Sequence, residues 1–384
     1  MKIRSRDEHL FDGGPKRILA LDGGGIRGML TLQILKRIES MVQQRAGGDT
    51  SVRLCDYFDL IGGTSTGAII AAGLAMGRSV DELTRLYRQL GNSIFERKFL
   101  RLGLLRSKFP AKALRVALEK EFGGVQLGDE EIRTGLAVIA KRLDTGSPWV
   151  LHNNPRGKYH EARPGSTAVP NRDYSVQNIV RASTAAPHFF EPEKIAVARD
   201  VEGAFVDGGV SPHNNPALQL LLLATLEGHG LKWPLGADQI FIVSLGTGSK
   251  EPSLDADEVM GMPAALLAMR SLASLMDDAC TLNEVILQWM SDSPTARVID
   301  REVGDLRNDQ LGASAPLISY IRYDVKFEGA WLKENLGLEL SDDELQCIHE
   351  MDKPENLDCL MRVGQAAAGK LFSEDHFPQR FDVT

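Results

Sequence analysis

The sequence predicts an α/β fold with a mostly parallel central sheet and helices on both faces of that sheet. Apolar stretches of strand length end in glycine-rich turns, each turn is followed by a segment of helical periodicity, and the unit recurs along the chain. The chain has 384 residues, of which 43% are hydrophobic, enough for one large core or for a core with a smaller second layer. We expect a catalytic core over 14–249 and a helical extension packed on it over 250–384.

The first predicted elements alternate between strand and helix. RILALDGGG reads as a buried strand, and MLTLQILKRIESMVQQ follows as a helix with one apolar face. LCDYFDLIGG is predicted as the second strand, and STGAIIAAGLAMG as a helix of small residues. Ser79 and Glu82 occupy the positions of a capping box, so a third helix is expected to begin there.

The later elements continue the alternation as far as Gly248. Strands are predicted in GLAVIAKRL, WVLHN, GAFVDGGV and QIFIVSLGTG, and a loop followed by a helix in NRDYSVQNIVRASTAAP. Beyond Gly248, PAALLAMRSLASLMDDACTLNEVILQWM is predicted as one long helix, and the last forty or so residues as two more.

Composition narrows the classes of protein. The net charge is −8 without a long basic run, which disfavours a nucleic-acid polymer as the main ligand. The four cysteines are scattered, so neither a disulfide framework nor a zinc site is expected. The N-terminal stretch lacks the apolar region of a signal peptide, and no apolar stretch is long enough to span a membrane. We expect a cytoplasmic protein that meets membranes only from their surface.

A glycine-flanked serine marks the first candidate site. Gly63 and Gly67 flank Ser65 in a G-x-S-x-G pattern between a predicted strand and a predicted helix, which is the setting of a nucleophile elbow. Glycines on either side of the serine let such a turn close without a Cβ clash. The pattern alone fits a helix-capping serine equally well.

A serine hydroxyl needs a base to take its proton before it can attack. Of the eight histidines only His213 lies in a suitable place, in FVDGGVSPHNNPA, and a loop histidine bonded to nearby backbone is the favoured interpretation of it. The same stretch supplies Asp207 at the end of a predicted strand, where catalytic groups of such sheets gather. Because an ordinary aspartate has a pKa of about 3.9, this base would need close alignment and partial desolvation.

The stretch DGGGIRG predicts an anion site. Gly23, Gly24 and Gly25 at a strand–helix junction can present backbone N–H donors to an oxyanion, and Arg27 can brace the loop or add charge. The glycine spacing also fits a dinucleotide loop, but the nearest acidic residue at the required distance, Glu39, lies within a predicted helix. A non-hydrolytic nucleotide-binding module is therefore the alternative function.

Taken together, DGGGIRG, GTSTG and DGG, in that order, resemble the patatin-like phospholipase family, and ASTAAPHFFEP over 182–192 resembles a further block of that family. The resemblance spans residues 18 to about 248. It implies a Ser–Asp dyad without histidine, with Ser65 as nucleophile, Asp207 as general base and Gly23 to Gly25 with Arg27 as the oxyanion loop. It also implies a structural role for Asn214, Asn215 and Pro216, acyl-ester hydrolysis of phospholipids, and no metal or other cofactor. Because Ser65 and Asp207 are both present, a storage protein or inactive homologue is disfavoured.

The segment 94–109, IFERKFLRLGLLRSKF, carries five positive charges and one negative charge among apolar residues. Such a segment suits an anionic membrane surface, and we take it as a candidate lid or docking face. A helical cap packed on the core, with its charges in water, is compatible with that role and somewhat favoured.

No motif identifies the region after Gly248, which is expected to cover helices and is a candidate homodimer face. Some bacterial patatin-like enzymes of similar size act as antiphage effectors that a cyclic nucleotide switches on. By analogy alone, a cyclic-nucleotide activator and a role in antiviral defence are candidates for this chain.

Overall fold

The computed structural model describes residues 3–91, 111–187, 189–250, 254–309, 311 and 315–383. The strands in chain order are β1 Lys16–Leu21, β2 Leu60–Thr64, β3 Gly135–Arg142, β4 Ser147–His152, β5 Glu193–Ala198, β6 Val201–Asp207, β7 Ile240–Leu245, β8 Ser291–Asp292 and β9 Ile318–Tyr323. The α-helices are α1 Arg6–Phe11, α2 Gly28–Arg45, α3 Leu54–Tyr57, α4 Thr66–Ala75, α5 Val80–Leu90, α6 Ala111–Phe122, α7 Val176–Ser183, α8 Ala217–Thr225, α9 Ala256–Met260, α10 Ala264–Trp289, α11 Gly329–Trp331, α12 Asp342–Ile348 and α13 Leu357–Lys370.

Within these ranges the strands form one nine-stranded sheet in the order β5-β6-β3-β2-β1-β7-β9-β8, with β4 also paired to β3. The pairs from β3 through β2, β1, β7 and β9 to β8 are parallel. The pairs of β3 with β4 and with β6, and of β5 with β6, are antiparallel. The predicted α/β class with a mostly parallel sheet is confirmed.

Helices cover both faces of the sheet. Alternate residues of a strand point to opposite faces, and β1 shows this: Leu19 and Leu21 belong to one buried cluster, Ile18 and Ala20 to another. The first cluster includes buried residues of α2, α4, α5, α7 and α13. The second includes residues of α1, α8 and the C-terminal half of α10.

The register along β3 brings two distant turns together. β4 pairs with β3 over Ala137–Arg142, so β2 and β6 share the other edge of that strand. β2 ends there at Thr64, opposite Ile139, and β6 ends opposite the next residue, where Asp207 pairs with Ala140. The residue after Thr64 and the last residue of β6 therefore have to be neighbours.

Two parts of the prediction need correction. LCDYFDLIGG is a strand only in its second half, because Leu54–Tyr57 forms the short helix α3 with Asp56 accepting from the backbone N–H of Arg53. The region after 250 is not helical throughout, since β9 pairs with β7 and β8 pairs with β9 in the main sheet. Polar residues inside β9, notably Arg322, dilute the apolar run that would have marked it as a buried strand.

Other details agree with the sequence analysis. The long helix after Gly248 is α10, and α12 and α13 lie in the last part of the chain. Ser79 caps α5 and forms the capping box with Glu82. The boundary between 14–249 and 250–384 stays a prediction, although the sheet runs across it.

Two stretches singled out in the sequence lie outside the described residues: the basic segment 94–109, and position 188 within ASTAAPHFFEP. In the part of the chain that is described, none of the helices combines the length and the apolar character needed to cross a bilayer.

Candidate active site

Ser65 occupies the sharp turn between β2 and α4. Its backbone has φ 54° and ψ −122°, a conformation that a non-glycine residue adopts only when its surroundings enforce it. The chain folds back so closely that a Cβ on Gly63 would overlap the backbone of Gly67, and one on Gly67 would overlap the carbonyl of Leu21. The strand, the strained serine and the flanking glycines together form an elbow that raises the serine above the sheet end.

The hydroxyl of Ser65 donates a hydrogen bond of 2.5 Å to Oδ2 of Asp207. These two residues lie 142 positions apart in the chain and meet because β2 and β6 end side by side on β3. The other carboxylate oxygen, Oδ1, accepts from the N–H of Gly209 at 2.7 Å, so the carboxylate has one fixed orientation.

Burial raises the pKa of Asp207 to about 6, against the lowering effect of its hydrogen bonds from Ser65 and Gly209 and of the charge of Arg181. A carboxylate with that pKa is still mostly ionised at neutral pH. It is also a stronger base than an ordinary aspartate. The arrangement can therefore take a proton from the serine hydroxyl.

Ser183, the last residue of α7, supports the elbow. Its hydroxyl accepts from the N–H of Ser65 at 2.8 Å and donates to the carbonyl of Ile139 at 2.6 Å. Ser183 lies within ASTAAPHFFEP, but nothing in the sequence indicated a role for its hydroxyl. Only the fold shows that this buried hydroxyl links the strained turn to β3.

The glycine loop lies against the same turn, since a Cβ built on Gly23 would lie 3.1 Å from the Cβ of Ser65. The N–H of Gly23 donates to the carbonyl of Asn214 at 3.2 Å, and Thr247 donates its hydroxyl to the carbonyl of Gly23 at 2.9 Å. Among the described residues, the N–H groups of Gly24 and Gly25 have no acceptor. Two of the three predicted amide donors therefore remain able to bind an anion.

Further contacts fix the rest of the loop. The hydroxyl of Tyr87 donates to the carbonyl of Gly25 at 2.9 Å, and the N–H of Ile26 donates to the carbonyl of Met351 at 3.0 Å. The Arg27 guanidinium lies 5.8 Å from the ring centre of Phe327, and burial lowers its pKa to about 10. Arg27 thus packs against the C-terminal region. Of its two expected roles, bracing the loop and adding charge, this contact favours the first.

The residue before the glycines belongs to a buried charge cluster. Asp22 accepts from Arg322 of β9 at 2.8 Å, and Arg322 also donates to Asp324 at 2.7 Å and to the hydroxyl of Ser244 at 2.8 Å. Burial raises the pKa of Asp22 in spite of the adjacent guanidinium. The sequence offered no signal that position 322 would reach the glycine loop.

His213 and its neighbours shape the turn after Asp207. The carbonyl of His213 accepts from the hydroxyl of Thr64 at 2.6 Å, and the side-chain amide of Asn283 donates to the carbonyls of Pro212 and Asn215. The Ser65 hydroxyl is bonded to Asp207, and burial lowers the pKa of His213. These contacts give the stretch 212–215 a structural role.

The family model described as patatin-like phospholipase matches residues 19–221 of the chain, more than half of its length. That interval contains the second half of β1, all of β2 to β6, the glycine loop, the elbow at Ser65 and the turn at Asp207.

Two bacterial relatives resemble the chain beyond that interval. A cUMP-AMP-activated phospholipase of Escherichia coli is 30% identical over 289 residues, which cover 74% of this chain and 81% of that protein. A cGAMP-activated phospholipase of Escherichia coli strain TW11681 is 28% identical to this chain. The aligned part covers 62% of this chain and 64% of that protein, which is less than two thirds of its length. Among solved structures, VipD from Legionella pneumophila has a TM-score of 0.43 at 12% identity and covers 94% of this chain and 67% of its own.

Proposed function

Because the chain belongs to the patatin-like phospholipase family, we propose that it hydrolyses acyl esters of membrane phospholipids with Ser65 as nucleophile and Asp207 as general base. One observation carries the proposal: the hydrogen bond of 2.5 Å between the two side chains, made by a serine in a strained elbow. Strain of this kind persists only where the surrounding structure enforces it, and it clusters at functional sites.

In the first half of the reaction, Asp207 takes the hydroxyl proton as Oγ of Ser65 bonds to the acyl carbonyl carbon. The carbonyl oxygen becomes an oxyanion, and the free amides of Gly24 and Gly25 stabilise it. The N-terminus of α4, directly after Ser65, adds a favourable dipole. When the intermediate collapses, the C–O bond to the lysolipid breaks, and the leaving oxygen receives the proton from Asp207.

In the second half, water replaces the alcohol. Asp207 takes a proton from the water, and the water oxygen attacks the carbonyl carbon of the acyl-serine. The fatty acid leaves, and the proton returns to Oγ of Ser65. Apart from the water, each step uses the carboxylate, the hydroxyl and the backbone donors.

The experiment is fluorophosphonate labelling of the full-length protein together with mass-spectrometric detection of fatty acids released from mixed phospholipid vesicles. Ser65→Ala is expected to abolish labelling, and Asp207→Asn to reduce it strongly. Ser40→Ala is the matched control, because within the described ranges that hydroxyl bonds only the carbonyl of Lys36 on α2. Labelling of Ser65→Ala at the level of the wild type would refute the proposal.

We propose in addition that a cyclic dinucleotide activates this chain, because the two bacterial relatives are named as phospholipases activated by such molecules. Fatty-acid release should be measured with and without cUMP-AMP and cGAMP, and stimulation by at least one of them is expected. Full activity without nucleotide would contradict the activation. Thermal stabilisation by nucleotide with no serine labelling under any condition would favour the non-hydrolytic module instead.

A further inference from the structure

Among the described residues, the second half of α10, together with Met276 just before it, packs against the rest of the protein. Every residue from Ala264 to Leu275 is exposed, whereas Asn283, Glu284, Leu287 and Gln288 are buried. Glu284 anchors this half through hydrogen bonds from Arg297 at 2.6 and 2.7 Å. The helix therefore carries a long apolar surface that the described structure leaves in solvent.

The apolar residues of α10 include a regular row, which we call the α10 seam. Its members are spaced alternately three and four residues apart: Leu272, Leu275, Ala279, Leu282, Ile286 and Trp289. Ala265 and Ala268 continue the spacing toward the N-terminus, so it extends over about three heptads. All the polar residues of α10 lie off these positions.

The α10 seam points away from the protein. Asp277 and Glu284 lie on the opposite side of the helix, as the periodicity of 3.6 residues requires. Glu284 is buried against Arg297, and Asp277 lies near Arg27, because its charge partly offsets the lowering of the Arg27 pKa by burial. On the seam itself, Leu272 and Leu275 are each 62% exposed, Leu282 is 58% exposed and Trp289 is 41% exposed.

We propose that the α10 seam pairs with the same seam of a second copy of this chain to form a homodimer. Heptad spacing of apolar residues is what a partner helix requires. An antiparallel pair would place the exposed first half of each helix along the anchored second half of its partner. The surface is then self-complementary, as a twofold interface must be.

The charges of α10 favour a second copy of the chain over a lipid surface as the partner of the α10 seam. Helices that lie on membranes carry Lys and Arg on their polar face. The charged residues of α10 are Arg270, Asp277, Asp278 and Glu284, and Glu284 is buried in its ion pair with Arg297, which leaves one cation and two anions exposed. Such a helix lacks the basic face that anionic lipid attracts, but it can bury its apolar row against a copy of itself.

The test is sedimentation equilibrium of the full chain over a wide range of concentration. The wild type is expected to reach twice the monomer mass of 42.1 kDa. The double variant Leu275→Glu/Leu282→Glu is expected to be monomeric, because each substitution should weaken dimerisation by about tenfold or more. Both leucines are exposed in the single chain, so the fold, checked by circular dichroism, should be retained.

Two controls make the result specific to the α10 seam. Leu267→Glu lies on α10 but off the seam, and Leu143→Glu places the same change on a leucine 55% exposed after β3. Both are expected to dimerise like the wild type. A monomeric wild type, or a dimeric double variant, would overturn the proposal. If the wild type is monomeric and both Leu267→Glu and Leu275→Glu weaken binding to phosphatidylglycerol vesicles, the surface contacts lipid instead.

Fluorescence gives an independent readout. The chain has four tryptophans, of which Trp289 belongs to the α10 seam. Pairing should bury its ring and shift the emission to shorter wavelength as concentration rises, and Trp289→Phe should lose the shift. Dimerisation that leaves the emission unchanged would show that the interface is elsewhere and would overturn the assignment to α10.

Discussion

Asp22 and Arg322 form an ion pair of 2.8 Å although 300 positions separate them in the chain. Asp22 directly precedes the glycine loop, and Arg322 lies on β9, beyond the interval that the family model matches. The same guanidinium also binds Asp324, and Glu284 lies 3.7 Å from it. The C-terminal part of the chain therefore fixes the start of the loop that is proposed to hold the oxyanion.

We expect Arg322→Met to destabilise the protein by about 3–5 kcal/mol, because it leaves buried carboxylates without their cation. Urea unfolding at neutral pH measures the change. Arg172→Met is the matched control, since its pair with Glu161 is exposed and should contribute at most about 1 kcal/mol. Equal effects of the two substitutions would show that the cluster around Arg322 does not stabilise the fold.

The pH dependence of hydrolysis should report the pKa of Asp207. Burial raises this pKa to about 6, and only the ionised carboxylate can accept the serine proton. The value of kcat/KM is therefore expected to fall as pH decreases through about 6, with circular dichroism showing the fold intact. An acid limb near the ordinary aspartate value of about 4 would contradict the raised pKa of Asp207.

The same shift predicts a change in stability. Because the pKa of Asp207 is higher in the folded state than in the unfolded chain, ionisation costs stability at high pH. The cost is absent below about pH 4, grows between about pH 4 and pH 6, and reaches about 3 kcal/mol above that. Asp207→Asn should therefore be more stable than the wild type at pH 8 and lose the difference at pH 4. Urea unfolding at the two pH values tests this, and an equal difference at both would refute it.

Gly24→Ala should reduce kcat by about 10²-fold or more, the typical effect of losing one oxyanion donor. A Cβ at position 24 would lie 2.6 Å from the Cβ of Thr247, so the loop would have to shift. Steady-state kinetics on vesicles measure the loss. Gly13→Ala is the matched control, because a Cβ there has nothing within 4 Å. Unchanged kcat in Gly24→Ala would show that the reaction does not depend on the conformation of the loop at Gly24.

Ser183→Ala should lower both stability and activity. It removes the acceptor of the Ser65 N–H, and an unsatisfied buried donor costs about 1–3 kcal/mol. The loss should appear in urea unfolding and in a lower rate of fluorophosphonate labelling. If labelling and stability both match the wild type, Ser183 does not support the elbow.

The sequence was most informative where a short stretch determines its own geometry. G-x-S-x-G around Ser65 demands a close turn, and the carboxyl end of a strand predicted the position of Asp207. Neither pattern predicts that β2 and β6 end opposite neighbouring residues of β3. That register decides the distance between Ser65 and Asp207.

What could not be predicted depends on contacts between remote segments. In the sequence, Arg322 is a polar residue that interrupts an apolar stretch. Its bond to Asp22 depends on the pairing of β9 with β7. Asp56 accepts from the N–H of Arg53 at 2.8 Å, and this local bond supports the helical turn of LCDY that periodicity had assigned to a strand.

The strand order has a practical consequence for anyone who shortens this protein. A fragment ending at residue 249 would retain the serine, the aspartate and the glycine loop, yet β7 would lose β9 and become an open edge. Unpaired backbone groups along an edge strand that is apolar at five of its six positions recruit other chains, so such a fragment should aggregate. The smallest fragment that contains the site residues is therefore shorter than the smallest fragment expected to stay in solution.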